Sequence, residues 1–145
     1  GDSRAAERRA AFKAAMEQEF PDEKPRITVA TEMPIAMASG VDLLRRALAQ
    51  YPEADAVMFS SDILASGALL ETQRIGIKVP QRLAITGFGD FELSRHLLPP
   101  LTTVAVPSAE IGRQAGELLL EAMRGETSTN TIVDVGFELK IRASG

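Results

Sequence analysis

The chain has 145 residues, 45% of them hydrophobic and 25% charged, the ordinary balance of a globular domain that can bury one core. It contains no cysteine and no tryptophan, and its formal net charge is −4. That excludes a disulfide frame, a thiolate nucleophile and cysteine-ligated zinc. It also argues against a free-standing nucleic-acid-binding domain, which needs a basic face. No apolar run approaches the roughly 18 residues that span a membrane. The start, GDSRAAERR, lacks signal-peptide character, but the first residues of a fragment say nothing about targeting; the absence of cysteine fits a reducing compartment, and the expected location is the cytoplasm.

Residues 4–20 carry apolar positions at Ala5, Phe12, Met16 and Phe20, a helical period, with Asp2 or Ser3 as the cap and Pro21 as the stop. The β-branched run 27–30 reads as a strand. After a loop with Pro34, Ser39 or Gly40 opens a helix whose apolar face is Val41, Leu44, Ala47 and Leu48; Tyr51-Pro52 ends it. Residues 56–59 are continuously apolar, as in a strand buried on both faces. Ser60-Ser61-Asp62 then caps a helix over 63–74, which Gly76 closes.

A third strand is expected at 83–86 and a fourth at 102–106. Pro107-Ser108 starts a long helix, 109–123, with Ile111, Ala115, Leu118, Leu119 and Ala122 on one face and Gly125 after it. A short polar loop, 126–130, leads to two final strands, 132–135 and 137–141, broken at Gly136. The βαβαβ alternation predicts an α/β fold with a parallel, doubly wound sheet and right-handed crossovers. Such domains normally begin on a strand, so the opening helix reads as a start in mid-domain.

In this fold, ligands bind in the loops at the carboxyl ends of strands. Two candidates are Ser60-Ser61-Asp62 and Gly87-Phe88-Gly89-Asp90. The glycine pair does not complete a dinucleotide fingerprint: Glu92 stands where the third glycine is needed, and no long helix opens there. His96 is the only histidine. It has no nucleophile elbow to serve and reads as a packing or surface residue. Asp90 and Glu92 lie close in sequence but fall in a solvated loop, which does not suit paired-carboxylate catalysis. No catalytic constellation, metal-ligand spacing or cofactor signature is present, and the chain does not read as an enzyme.

Several motifs together carry a resemblance. They are Arg8 with Ala11-Phe12, Ser61-Asp62 before the small-residue run Ala65-Ser66-Gly67-Ala68, Gly87-Phe88-Gly89-Asp90, Pro99-Pro100-Leu101-Thr102-Thr103-Val104, Ile111-Gly112 and Gly136-Phe137-Glu138. Essentially end to end, the chain resembles the effector-binding domain of the LacI/GalR family of bacterial transcription regulators, of periplasmic-binding-protein-like type I fold. The resemblance implies two α/β subdomains with a small ligand in the cleft between them. Residues 1–87 and 131–145 would be the C-terminal, effector-binding subdomain. Residues 102–123 would be a remnant of the N-terminal one, and 88–101 and 124–130 connections. The helix-turn-helix that contacts operator DNA would lie outside this chain.

By the same resemblance, Arg8 matches the arginine that pairs with ligand hydroxyls or a carboxylate, a task suited to its fork geometry. Ser61 stands where the family often has Asn. Gly89 stands where it often has a ligand-binding Asp, and Asp90 is the neighbour that could substitute. Ile35 falls where some members stack an aromatic ring on a sugar. The implied effector is a sugar or sugar acid. The implied homodimer surface is Leu64, Leu70 and Arg74 with Leu97 and Leu98. The alternative is a periplasmic or ABC-type sugar-binding protein of the same fold.

Overall fold

The computed structural model describes residues 3–29, 32–125 and 132–145. The elements follow as α1 (Ser3–Glu19), α2 (Met37–Gln50), β1 (Ala56–Met58), α3 (Asp62–Ile75), β2 (Ala84–Gly89), a single 3-10 turn (Glu92–Arg95), β3 (Thr102–Ala105), α4 (Ser108–Met123) and β4 (Glu138–Lys140). The strands form one sheet in the order β1-β2-β3-β4. The first three are parallel, with Met58 opposite Thr86 and Phe88 opposite Val104. β4 is antiparallel to β3, with Leu139 opposite Val104. This is an α/β fold with a mostly parallel open sheet.

Pleating sends alternate side chains to opposite faces. Leu83, Ile85 and Gly87 of β2 and its lead-in point one way and are buried. There they meet a core of Leu44 from α2, Phe59, Leu64, Ala65, Ala68 and Leu69 from the β1–α3 unit, and Leu97 and Leu101. The two helices over this face approach to backbone contact. A Cβ on Gly40 would collide with the Leu64 carbonyl, and one on Gly67 with the Met37 carbonyl. The small-residue run in α3 is therefore a packing requirement. Ser61 accepts a hydrogen bond at its Oγ from the Ile63 N–H at 3.3 Å, and Gly76 closes the helix at φ 76°.

Two polar ties hold this layer in register. Glu71 is buried on α3 and takes Arg45 Nε of α2 at 2.8 Å and Arg74 Nη2 at 2.7 Å. Hydrogen bonds from Arg74 and then Arg45 hold its carboxyl down at about 2. The buried Ser144 sews the chain's end into the sheet. Its Oγ accepts from the Thr102 N–H at 2.8 Å and donates to the Ile85 carbonyl at 2.6 Å, while its own carbonyl accepts from the Ile85 N–H.

Several expectations change. Residues 27–29 form no strand, because no described segment offers them a ladder; the expected end at residue 30 lies outside the described residues. Residues 132–135 likewise carry no ladder, and the last strand is confined to β4. α2 starts at Met37, so Ser39 and Gly40 are buried inside its first turns instead of opening it. Asp2, offered as a cap, and the polar loop 126–130 lie outside the described residues. β3 is hydrogen-bonded to β2 along four residue pairs, so residues 102–105 belong to the same sheet as β1 and β2. Neither α1 nor α4 has a buried residue among the described ones.

Candidate functional site

Because β1 and β2 are parallel, their carboxyl ends reach the same edge of the sheet, where residues 60–62 follow β1; residues 87–89, expected as a turn, are instead the last residues of β2, paired with Thr103, Val104 and Ala105, and the chain leaves the sheet at Asp90. Asp62 joins the two. It is 1% exposed, and its Oδ1 accepts from Thr103 Oγ1 at 2.5 Å. Its Oδ2 accepts from Ser94 Oγ at 2.6 Å and from the Phe91 N–H at 3.1 Å. A Cβ on Gly87 would run into that carboxylate, which explains the glycine on steric grounds. One acid thus binds the start of α3 to β3, to the 3-10 turn and to the loop after β2.

On the other face of β2, Phe88 points away from the core. The Arg8 guanidinium of α1 sits over its ring at 4.5 Å from the centroid. α1 turns a half-buried stripe of Ala5, Arg8, Phe12 and Met16 inward at helical spacing. Among the described residues, Arg8 Nε is the buried side-chain nitrogen or oxygen without a hydrogen-bond partner. Such an atom carries a desolvation cost that a ligand oxygen would relieve. The Phe88 ring also borders an open, mostly apolar hollow of about 360 Å³, lined with it by Met58, Val104, Val106, Gly136 and Phe137.

The other expected contacts divide. Ser61 lies at the edge, but its hydroxyl already serves as the α3 cap. Gly89 adopts φ 132°, and a Cβ there would press on the Phe91 ring, so backbone geometry selects the glycine. Asp90, at φ 49°, does not present a free carboxylate: Oδ1 pairs with Arg142 Nη2 at 2.5 Å, and both side chains are largely buried. Ile35 is exposed in the loop before α2.

The dimer candidates need correction. Leu64 and Leu97 are core residues of this chain, 6% and 9% exposed, packed under α2 and against the sheet, so they are not surface contacts. Leu70 and Leu98 are exposed, and Arg74 is held by Glu71. The Leu98 carbonyl accepts from Gln73 Nε2, which ties this rim to α3.

Sequence reasoning missed Asp62 as a hub, Phe88 as the arginine's platform and Arg142 as the partner of Asp90. Their partners lie 29 to 52 residues away along the chain, except for the Arg8–Phe88 stack, which spans more. The S-D pair before a helix marked Asp62 only as a capping residue. Two acceptors facing no local donor was the available hint.

Among the described residues, no helix is long and apolar enough to cross a membrane, and no group of three or more His, Asp or Glu is placed to hold a metal. Residues 1–145 match the model of the periplasmic binding protein-like domain. The HTH-type transcriptional regulator GntR of Pseudomonas aeruginosa is 40% identical over 120 residues, covering 83% of this chain and 35% of that protein. The solved transcription regulator GntR from Chromobacterium violaceum superposes with a TM-score of 0.91 at 39% identity, over 99% of this chain and 52% of that one. A LacI family transcriptional regulator from Silicibacter pomeroyi gives 0.78 at 33% identity, over 96% and 49%. The chain therefore spans about a third of this curated relative and about half of these solved ones. It belongs to the periplasmic-binding-protein-like domain family, in the form that LacI-family transcription regulators carry.

Proposed function

We propose that this chain is the effector-sensing part of a bacterial LacI/GalR-type transcription regulator, and that it takes a sugar or sugar acid at the carboxyl edge of its sheet. The observation that carries this reading is Arg8: its Nε is buried and unpartnered, and its guanidinium is fixed over Phe88, whose ring borders an open hollow. A planar fork held on an aromatic face is preorganised for paired oxygens of a hydroxylated or carboxylated ligand. No acid among the described residues compensates its charge, which favours the sugar acid. The protein is read as a regulator and not an enzyme, acting in the cytoplasm.

The exposed apolar surface supports a larger whole. Leu119 and Met123 of α4 are 62% and 76% exposed, and Phe137 beside β4 is 77% exposed. Surface of this kind is covered in a complete molecule. Given the share of its relatives that the chain spans, we assign the cover to the remaining subdomain, with α4 on that side of the cleft. DNA contact belongs to a helix-turn-helix outside these residues, consistent with the acidic charge. A homodimer would use the rim at Leu70 and Leu98, the two expected apolar contacts that remain exposed.

The test is a thermal-shift screen of sugars, alditols and sugar acids on the full-length regulator. A ligand at about 100 times its Kd is expected to add about 2.7 kcal/mol of stability, a shift of several degrees. Absence of any stabilising compound across both classes would count against the sugar or sugar-acid reading.

A further inference from the structure

We propose that Arg142 determines which effectors this edge accepts, by keeping the Asp90 carboxylate away from it. The inference rests on the effector reading above. Asp90 lies two residues after Phe88, the platform of Arg8, so its backbone sits at the same edge. Its side chain is turned aside: Oδ1 meets Arg142 Nη2 at 2.5 Å. Arg142 is itself anchored. Its Nη1 donates to the Leu101 carbonyl at 2.8 Å, its backbone N–H donates to Thr102 Oγ1 at 2.8 Å, and Thr102 Oγ1 donates back to the Arg142 carbonyl at 3.0 Å. The guanidinium is thus fixed by β3 before it touches Asp90.

Charge accounting gives this pair its consequence. Arg8 has no ionic partner among the described residues, whereas Asp90 is neutralised by Arg142. Arg8 is thus a cation of this edge without an ion pair, and Asp90 adds no free carboxylate beside it. A free Asp90 carboxylate would cancel the Arg8 charge and repel an anionic ligand, while offering a neutral polyol two acceptor oxygens. Arg142 is a positioning residue: it acts through Asp90 and touches no ligand. A residue near the end of the chain thereby selects against carboxylate-free effectors at a site built mostly from the first ninety residues.

The test uses the full-length regulator and two probe pairs that differ in a carboxylate, D-gluconate with D-glucitol and D-glucuronate with D-glucose. Calorimetric titration gives the anion-to-neutral affinity ratio for each pair. In Arg142→Met the ratio is expected to fall by about tenfold or more. Arg142→Lys retains most of it. The double variant Asp90→Asn/Arg142→Met, which removes both charges, returns it to within about threefold of the unmodified protein. If Arg142→Met does not fold, Arg142→Gln, which leaves the Asp90 charge without its counter-ion, is read in its place, and its ratio is expected to fall in the same direction. Parallel weakening of both probes, with no recovery in the double variant, would reduce Arg142 to a structural tie and overturn the proposal alone. Failure of the unmodified protein to bind any of the four would overturn the effector reading, and this proposal with it.

Discussion

Replacing Asp62 with alanine is expected to destabilise the protein by about 3–5 kcal/mol, most of the margin of a typical domain. Three donors converge on the carboxylate, from Thr103, Ser94 and the Phe91 backbone, and Thr103 and Ser94 are fully buried. Removal leaves all three without an acceptor in a space that Gly87 keeps narrow. Each buried unsatisfied donor costs about 1–3 kcal/mol, and the hydroxyls recover part of that by rotating toward backbone carbonyls. The Phe91 N–H cannot rotate. Asp62→Asn keeps one carbonyl oxygen for it and is expected to cost less than half as much. Urea denaturation of the three proteins checks this ranking; an alanine variant within about 1 kcal/mol of the unmodified protein would show that the network carries little.

Arg8→Ala is expected to weaken the effector response at least tenfold, with little effect on stability. Loss of a charge-assisted hydrogen bond costs about 1.5–3 kcal/mol of binding. The folded protein loses only the stack on Phe88, because Arg8 Nε makes no internal bond to give up. The two readouts therefore separate: an arginine important only for packing would lower stability and affinity together. Phe88→Leu keeps the apolar platform but removes the ring face, and it is expected to fall between the two. Induction curves of the full-length regulator, with thermal denaturation alongside, make the comparison. An induction curve unchanged in Arg8→Ala would reject its assignment.

What was legible in the sequence was periodic or local. The alternation of strands and helices placed residues 60–62 and 87–90 at one edge, because parallel strands end together. Ser61 and Gly76 bound α3 through hydrogen bonds and a left-handed turn that need only their neighbours. What was not legible depends on distant partners. The β-branched residues Ile27 and Val29 have strand character, but a strand exists only where another pairs with it. Leu97 looked like a surface residue beside a loop, yet the chain turns it under the sheet, where it completes the core. Asp90 looked free because its counter-charge lies 52 residues later. Local chemistry thus identified the edge, and tertiary pairing decided which of its carboxylates are already engaged.

The most direct test of the effector seat is a crystal structure of the full-length regulator with the most stabilising compound from the screen. The predicted result is a ligand oxygen within hydrogen-bond distance, about 2.7–3.0 Å, of Arg8 Nε, with the guanidinium still over Phe88 and Asp90 still paired to Arg142. A ligand seated away from the carboxyl edge, with Arg8 Nε still unpartnered, would contradict the account.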